Sequence, residues 1–278
     1  MILRTLAIAL TALFVAVGAQ AQQAAQREIT NIAGDLYRFQ NNFHVAVLLV
    51  TPEGVIATDP IDADAAKWLQ AEVETRFGVP IKYVVYSHHH ADHASGGEVY
   101  GDDVVFVGHT NVTKNLTGSH AGVRAPDVTF NDRMTLTLGG KSVELIHVGA
   151  NHSDDMIVMH FPVERAVFTV DFISVKRLPF RNLAGAAIPG WVDSIRAVEA
   201  MDFDILVPGH GPVGTKADAA EHRRYFEELI AAVGDGMKAG KSLETLKQEI
   251  SLPHYATWGA YTDWLALNVE GVYTALSN

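Results

Sequence analysis

A strand-like run at residues 81–86 ends directly in Ser87-His88-His89-His90-Ala91-Asp92-His93. No other stretch narrows the possible folds as far, because a strand that stops in so many ligand-type side chains must leave its sheet beside something they bind. His88 and His90 are two apart, which in extended backbone puts both imidazoles on one face. Asp92 and His93 are adjacent and diverge, so they can serve a second metal centre close to the first. A purification tag would be terminal, and a solvated patch would not interleave an aspartate or follow Tyr83-Val84-Val85-Tyr86 so closely. Each centre then needs a third ligand, and the candidates stand just after other strand-like runs. His152 follows Gly149-Ala150-Asn151, Asp171 ends Ala166-Val167-Phe168-Thr169-Val170, and His210 follows Val207-Pro208-Gly209. A lone histidine in such a place is more often a packed or surface residue; the joint occurrence of all three reverses that weighting.

The chain has no cysteine, which removes disulfides, thiolate nucleophiles and Cys-held zinc or iron–sulfur centres, so a metal must be held by His and carboxylates. At 278 residues, with 48% hydrophobic and 19% charged side chains, it can bury one large core, with or without an appendage. The net charge of −11 and the lack of a Lys/Arg run argue against nucleic acid as a partner. Arg4, the apolar run from Leu6 to Val17 and the small residues Ala19 and Ala21 read as a signal peptide over residues 1–21. An exported chain without cysteine fits a bacterial envelope, so the expected location is periplasmic or secreted, with no stable membrane anchor after cleavage.

Strands are expected at residues 45–50, 55–58, 81–86, 104–107, 143–147, 156–161, 166–170 and 205–207, with helices at 63–77 and 191–201. Beyond residue 215 the pattern turns wholly helical, at 216–233, 242–250 and 261–276. The aromatics Tyr255, Trp258, Tyr261, Trp264 and Tyr273 there read as helix packing rather than a pocket wall. Interleaved strands and helices make a mixed α/β layered domain at residues 22–215, followed by a C-terminal helical extension at 216–278 through which chains could associate.

With these residues in view, the chain resembles the metallo-β-lactamase superfamily from about Ile29 to Val213. The defining His-X-His-X-Asp-His pattern stands as His88 to His93. The later signatures stand as Gly149-Ala150-Asn151-His152-Ser153-Asp154-Asp155, Asp171 and Pro208-Gly209-His210-Gly211-Pro212. The resemblance implies an α/β fold, an αββα sandwich of two mixed β-sheets flanked by helices, with a dinuclear and usually zinc centre at one edge. It implies His88, His90 and His152 around one ion, Asp92, His93 and His210 around the other, and Asp171 between them. It also implies a metal-bridging hydroxide as nucleophile, with Asp92 orienting it and receiving its proton. Iron or manganese are the alternative metals. Asp171 occupies the place of the Cys ligand of one subclass of true β-lactamases, and Ser174 stands where that subclass puts a lysine, which weakens a purely β-lactam assignment.

The activity expected is opening of a cyclic or activated amide or ester, of β-lactam or lactone type, on a small anionic acyl compound. Lys176, Arg177 and Arg181, a cationic group soon after Asp171, are the candidate anchors for the substrate's carboxylate. The alternatives are a metal-dependent thioesterase and a mononuclear iron sulfur dioxygenase; the latter resembles a site of two His and one Asp, so the full second ligand set argues against it. His89 is expected to point away, His147 to sit in the core or behind the ligands, and Phe43-His44 to be a minor candidate for the site lining.

Overall fold

The computed structural model describes residues 25–116 and 122–277; the expected leader and His120 lie outside the described residues. Thirteen strands are present among the described residues: β1 (Arg27–Ala33), β2 (Leu36–Asn41), β3 (His44–Thr51), β4 (Gly54–Thr58), β5 (Ile81–Val85), β6 (Val105–His109), β7 (Val128–Phe130), β8 (Arg133–Leu138), β9 (Lys141–His147), β10 (Ile157–Phe161), β11 (Ala166–Val170), β12 (Ile205–Pro208) and β13 (Gly214–Thr215). The helices are α1 (Ala63–Phe77), α2 (Ala91–Ala94), α3 (Thr110–Asn115), α4 (Ile188–Glu199), α5 (Lys216–Lys238), α6 (Leu243–Glu249) and α7 (Tyr261–Ser277). No helix among the described residues is long and apolar enough to cross a membrane.

The first sheet runs β1-β2-β3-β4-β5-β6-β7 and the second β13-β12-β11-β10-β9-β8. Strand β3 shows why two layers form. Its alternate residues Val45, Val47 and Leu49 enter the core between the sheets, while Ala46 and Leu48 enter a second core under α1. Strands β10 and β11 are buried at every position, so the second sheet is covered on both faces, with Trp191, Ile195 and Val198 of α4 and Tyr225 and Phe226 of α5 in the same core. The architecture is the αββα sandwich of two mixed sheets.

Local chemistry fixes the element that precedes the histidine run. Asp62 caps α1, its Oδ1 accepting from the Ala65 amide at 2.7 Å, a contact worth about 1 kcal/mol. Gly78, at φ 67°, closes the helix in the left-handed conformation that a side chain would strain, and Pro80 prevents its continuation. The chain then turns into β5, parallel to β4 and β6. Parallel pairing puts the carboxyl ends of β4, β5 and β6 side by side, and so gathers Asp59, Ser87-His88 and His109 at one edge. In the second sheet, β11 and β12 are parallel with Val170 opposite Pro208, so Asp171 and His210 emerge together at their ends.

Most expected elements stand within two residues of their positions; the helix expected at 191–201 instead covers Ile188–Glu199. Pro189 lies in its first turn, where a missing N–H and a fixed φ are tolerated, so Pro189-Gly190 are part of the helix and do not precede it.

The stretch between Asp171 and α4 is irregular, with Lys176, Arg181 and Leu183 all at positive φ (49°, 49° and 57°). Non-glycine residues there cost on the order of 1–3 kcal/mol each and persist only when their surroundings hold them. The C-terminal helices do so. The fully buried Asn268 of α7 donates from Nδ2 to the carbonyls of Pro179 (3.0 Å) and Arg181 (2.5 Å), and its Oδ1 accepts from the Tyr225 hydroxyl at 2.6 Å. Gly271 lies so close that a Cβ would come within 2.2 Å of the Asn182 carbonyl. Residues 216–277 therefore belong to the same packed body as the sandwich.

Candidate metal centre

The seven residues expected as ligands converge. His88, His90, His152 and Asp171 can place one donor atom each within 4.8 Å of one another, and so can Asp92, His93, Asp171 and His210. Asp171 is common to both sets. Its Oδ2 lies 3.7 Å from His88 Nε2 and 3.6 Å from His152 Nε2, while Oδ1 is 3.2 Å from both His93 Nε2 and His210 Nε2. His210 Nε2 is also 3.5 Å from Asp92 Oδ2.

The outer nitrogens of three of these rings are already engaged. Ser87 Oγ meets His88 Nδ1 at 2.9 Å, Asp59 Oδ2 meets His93 Nδ1 at 3.0 Å, and His210 Nδ1 donates to the Phe43 carbonyl at 3.0 Å. Such contacts leave each Nε2 aimed inward with its lone pair exposed to the centre. Asp59 is itself held, its Oδ1 accepting from the Ser87 amide at 2.8 Å. Two inward atoms, His88 Nε2 and Asp171 Oδ1, are buried without a hydrogen bond, while His152 Nε2 faces His90 Nδ1 at 2.9 Å. Buried polar atoms in that state are costly unless something binds them. A set of imidazoles and carboxylates with orphaned inward donors fits two divalent cations of the zinc type.

Space for the cluster comes from Gly209, where a Cβ would stand 2.7 Å from Asp171 Oδ1 and 3.1 Å from the His93 ring. The two sets are electrostatically unlike. Burial depresses His88, His90 and His152 and neighbouring imidazoles add to it, with His90 pushed down to about 4. Burial opposes charge on His93 and His210 too, but Asp171, joined by Asp59 for His93 and by Asp92 for His210, overcomes it. His93 is held well above the ordinary value and His210 is raised to about 9. Burial works against ionisation of Asp92 and Asp171, yet the imidazoles hold both carboxyls well below the usual range: His93 and His210 for Asp171, and His210, His44 and His93 for Asp92.

His89 turns away, as its place between two ligands suggests, and meets the buried Asp155 carboxylate at 3.0 Å. Asp155 also accepts from the Ser153 hydroxyl at 2.6 Å, so this contact ties the loop carrying His152 to the loop carrying His88–His93. His147 stacks on His109 at 4.1 Å, outside the cluster. His44 lines the centre: its Nε2 is 3.6 Å from Asp92 Oδ2, and its ring stands edge-on 5.1 Å from that of His210.

The three loop cations make their contacts outside the ligand sets. Lys176 pairs with Glu221 and lies over the Trp258 ring, Arg177 covers Trp264, and Arg181 covers Phe180. These contacts join the loop to the C-terminal helices and to its own aromatic residue. The aromatics of the extension pack as expected, Tyr225 against Tyr255 at 5.1 Å and Tyr255 against Trp258 at 4.8 Å.

Residues 42–210 match the metallo-beta-lactamase superfamily. The chain is 25% identical over 271 residues to a linear primary-alkylsulfatase of Pseudomonas sp., covering 77% of this chain and 51% of that protein, so it spans about half the length of that relative. It is 26% identical over 174 residues to a metallo-beta-lactamase type 2 of Bacillus cereus, covering 61% of this chain and 68% of the other. Among solved structures, a metallo-beta-lactamase from Pontibacter korlensis superposes with a TM-score of 0.66 over 73% of this chain and 99% of its own, at 23% identity.

Proposed function

The chain belongs to the metallo-β-lactamase superfamily of metal-dependent hydrolases, and from that premise we propose that it is a dinuclear zinc hydrolase that opens a cyclic or activated amide or ester. The observation that carries this reading is the sharing of Asp171 between two complete ligand sets. One set offers three imidazoles and the other a carboxylate with two imidazoles. Two ions held there would supply a water acidified to a nucleophile near neutral pH and a Lewis acid for the acyl oxygen.

The chain's own residues supply position and proton transfer. Asp171, with its side chain 10% exposed, fixes the spacing of the two sets from below, whereas Asp92, at 43%, faces the open side. Asp92 is therefore the carboxylate that orients the attacking water and receives its proton. Asp59 and the Phe43 carbonyl hold the rings of His93 and His210 against rotation, so the donors are set before substrate arrives.

A second reading, hydrolysis of a sulfate ester, is favoured by the alkylsulfatase relative, whose match extends over more of this chain than that of the Bacillus enzyme. Elemental analysis of protein purified without added metal, followed by a panel of β-lactams, lactones, thioesters and alkyl sulfates, tests both. Two zinc ions per chain with chelator-sensitive turnover of a lactam or lactone is the expected result. About one iron and no zinc would overturn the dinuclear scheme, and turnover of alkyl sulfates alone would replace the acyl substrate. We also propose export with cleavage after Ala21; N-terminal sequencing of envelope material should read from Gln22.

A further inference from the structure

A groove adjoins the His210 side of the centre, and its walls come from β1, from β2 and the turn into β3, and from the loop after His210. Arg38 and Gln40 of β2 stand opposite Val47 and Val45 of β3, so they share the face that looks toward the second sheet. There they meet the loop that follows β12. Arg38 Nη2 donates to the Gly211 carbonyl at 2.9 Å and Nη1 to Gln40 Oε1 at 2.5 Å. A guanidinium has two N–H groups on each terminal nitrogen, so one on each is left. Asn41 points the opposite way and donates to Asp62 Oδ2 at 3.1 Å, which pins the end of the hairpin to the cap of α1.

The cavity beside Arg38 measures about 660 Å³, a size typical of small-molecule sites. Thr30, Gln40 and Asn42 line it with Arg38 on the polar side, and Phe43 and Val213 on the apolar side. Phe43 is 75% exposed and Val213 42%, which leaves two apolar side chains facing water at the mouth. The groove is coupled to the metal centre through two carbonyls: that of Phe43 accepts from His210, and that of Gly211, the next residue, accepts from Arg38.

We propose that this groove is a substrate subsite in which Arg38 holds an oxyanion of the substrate, such as a carboxylate, while Phe43 and Val213 cover the apolar segment between that anion and the bond to be cleaved. The proposal rests on the hydrolase reading for what happens at the metals, and it assigns the anion to Arg38 because Arg38 lines the groove with N–H donors left over, whereas Lys176, Arg177 and Arg181 lie against the C-terminal helices and Phe180 and do not line it. A planar oxyanion matches the end of a guanidinium, whereas a neutral amide of the same length does not. Glu28, opposite Gln40 on β1, is the carboxylate that opposes such binding, so its removal should strengthen it.

The test uses the metal-loaded full chain and a matched pair of probes, hexanoate and hexanamide, titrated while the backbone amides of Gly211 and Val213 are followed by NMR. Hexanoate should shift both amides and bind at least tenfold more tightly than hexanamide. Arg38→Ala should weaken hexanoate about 10- to 100-fold, Arg38→Lys should restore part of that loss, and Glu28→Gln should tighten binding. Equal affinity for the two probes would overturn the proposal. So would hexanoate binding in Arg38→Ala at the wild-type level with shifts confined to the ligand histidines, since the carboxylate would then be on the metals. If Arg38→Ala does not fold, Glu28→Gln decides, because unchanged or weaker binding in that variant refutes the charge argument. Should the groove bind hexanoate while no hydrolytic substrate is turned over, the hydrolase reading falls and the subsite stands.

Discussion

Metal loading should be ordered and should release protons unequally. In the metal-free protein His88, His90 and His152 are neutral at pH 7, since burial depresses all three and His90 sits at about 4. An ion entering that set displaces almost no protons from its own three imidazoles. The other set starts charged: His93 is held well above its ordinary value, chiefly by Asp171 against the cost of burial, and His210 is raised to about 9. Ligation requires neutral imidazole, so the second ion must displace these protons. For His210 alone the two pH units between 7 and 9 amount to about 2.7 kcal/mol, or about 100-fold in affinity. The sign follows directly: affinity of the second site rises with pH for as long as His93 and His210 carry protons, while the depressed imidazoles of the first make its affinity depend far less on pH near neutrality. Two cationic rings whose Nε2 atoms lie 3.4 Å apart repel, so release on the second step should fall between one and two protons. Calorimetric titration of the metal-free protein with zinc at pH 7.5, in buffers of different ionisation enthalpy, counts them. Equal release at both steps, or more at the first, would refute the electrostatic division of the site.

Asp171→Ala should lose both ions and lower turnover by orders of magnitude while the far-ultraviolet circular dichroism stays native; activity at the wild-type level would show that Asp171 does not join the sets. His44→Ala should weaken the ion held by Asp92, His93 and His210 by about 10- to 100-fold, as loss of a partner behind a ligand does, and leave the first ion's affinity unchanged by competition with a chelator. His222 is fully buried, both its nitrogens lack partners, and burial lowers it to about 3. Below about pH 6.5 the unfolded chain gains a proton there that the folded chain refuses until about 3, so stability falls with acid by about 1.4 kcal/mol per pH unit from this group. Urea titrations at pH 7 and pH 4 should show His222→Phe losing about 3 kcal/mol less than the wild type, and an identical loss would assign the acid limb to other groups.

The seven candidate ligands are legible because each sits where a strand runs out, and strand ends are marked by the change from β-branched residues to His, Asp and Gly. What stands behind them is not. Asp59 is a single aspartate after β4, and only the parallel pairing of β4 with β5 brings it under His93. Asp155 meets His89 across 66 residues, a separation with no sequence period. The edge strand β8 shows strict alternation, yet it was missed along with β1 and β2. β8 mixes exposed and intermediate positions, β1 and β2 set partly exposed positions beside buried ones, and β10 and β11 are buried throughout. The cationic group at 176–181 stands out by proximity to Asp171, and a charge pattern does not reveal the partners that position it. Glu221, Trp258 and Trp264 lie 45 to 87 residues away, in the C-terminal helices and the turn between them.

Asn268 holds two carbonyls of the loop after Asp171 and takes the Tyr225 hydroxyl in return. The far end of that loop is fastened beside His152, where the Ala187 amide donates to the Asn151 carbonyl at 2.7 Å. The tail and the loop that runs from Asp171 to the contact with Asn151, the neighbour of His152, are therefore one mechanical unit. Trimming the tail, or grafting it from a relative, would release a strained span whose two ends adjoin Asp171 and His152, and the setting of those two side chains would change before either was substituted. Directed evolution toward bulkier substrates has a handle in α7, where small changes at Asn268 or Gly271 would resize the opening from behind.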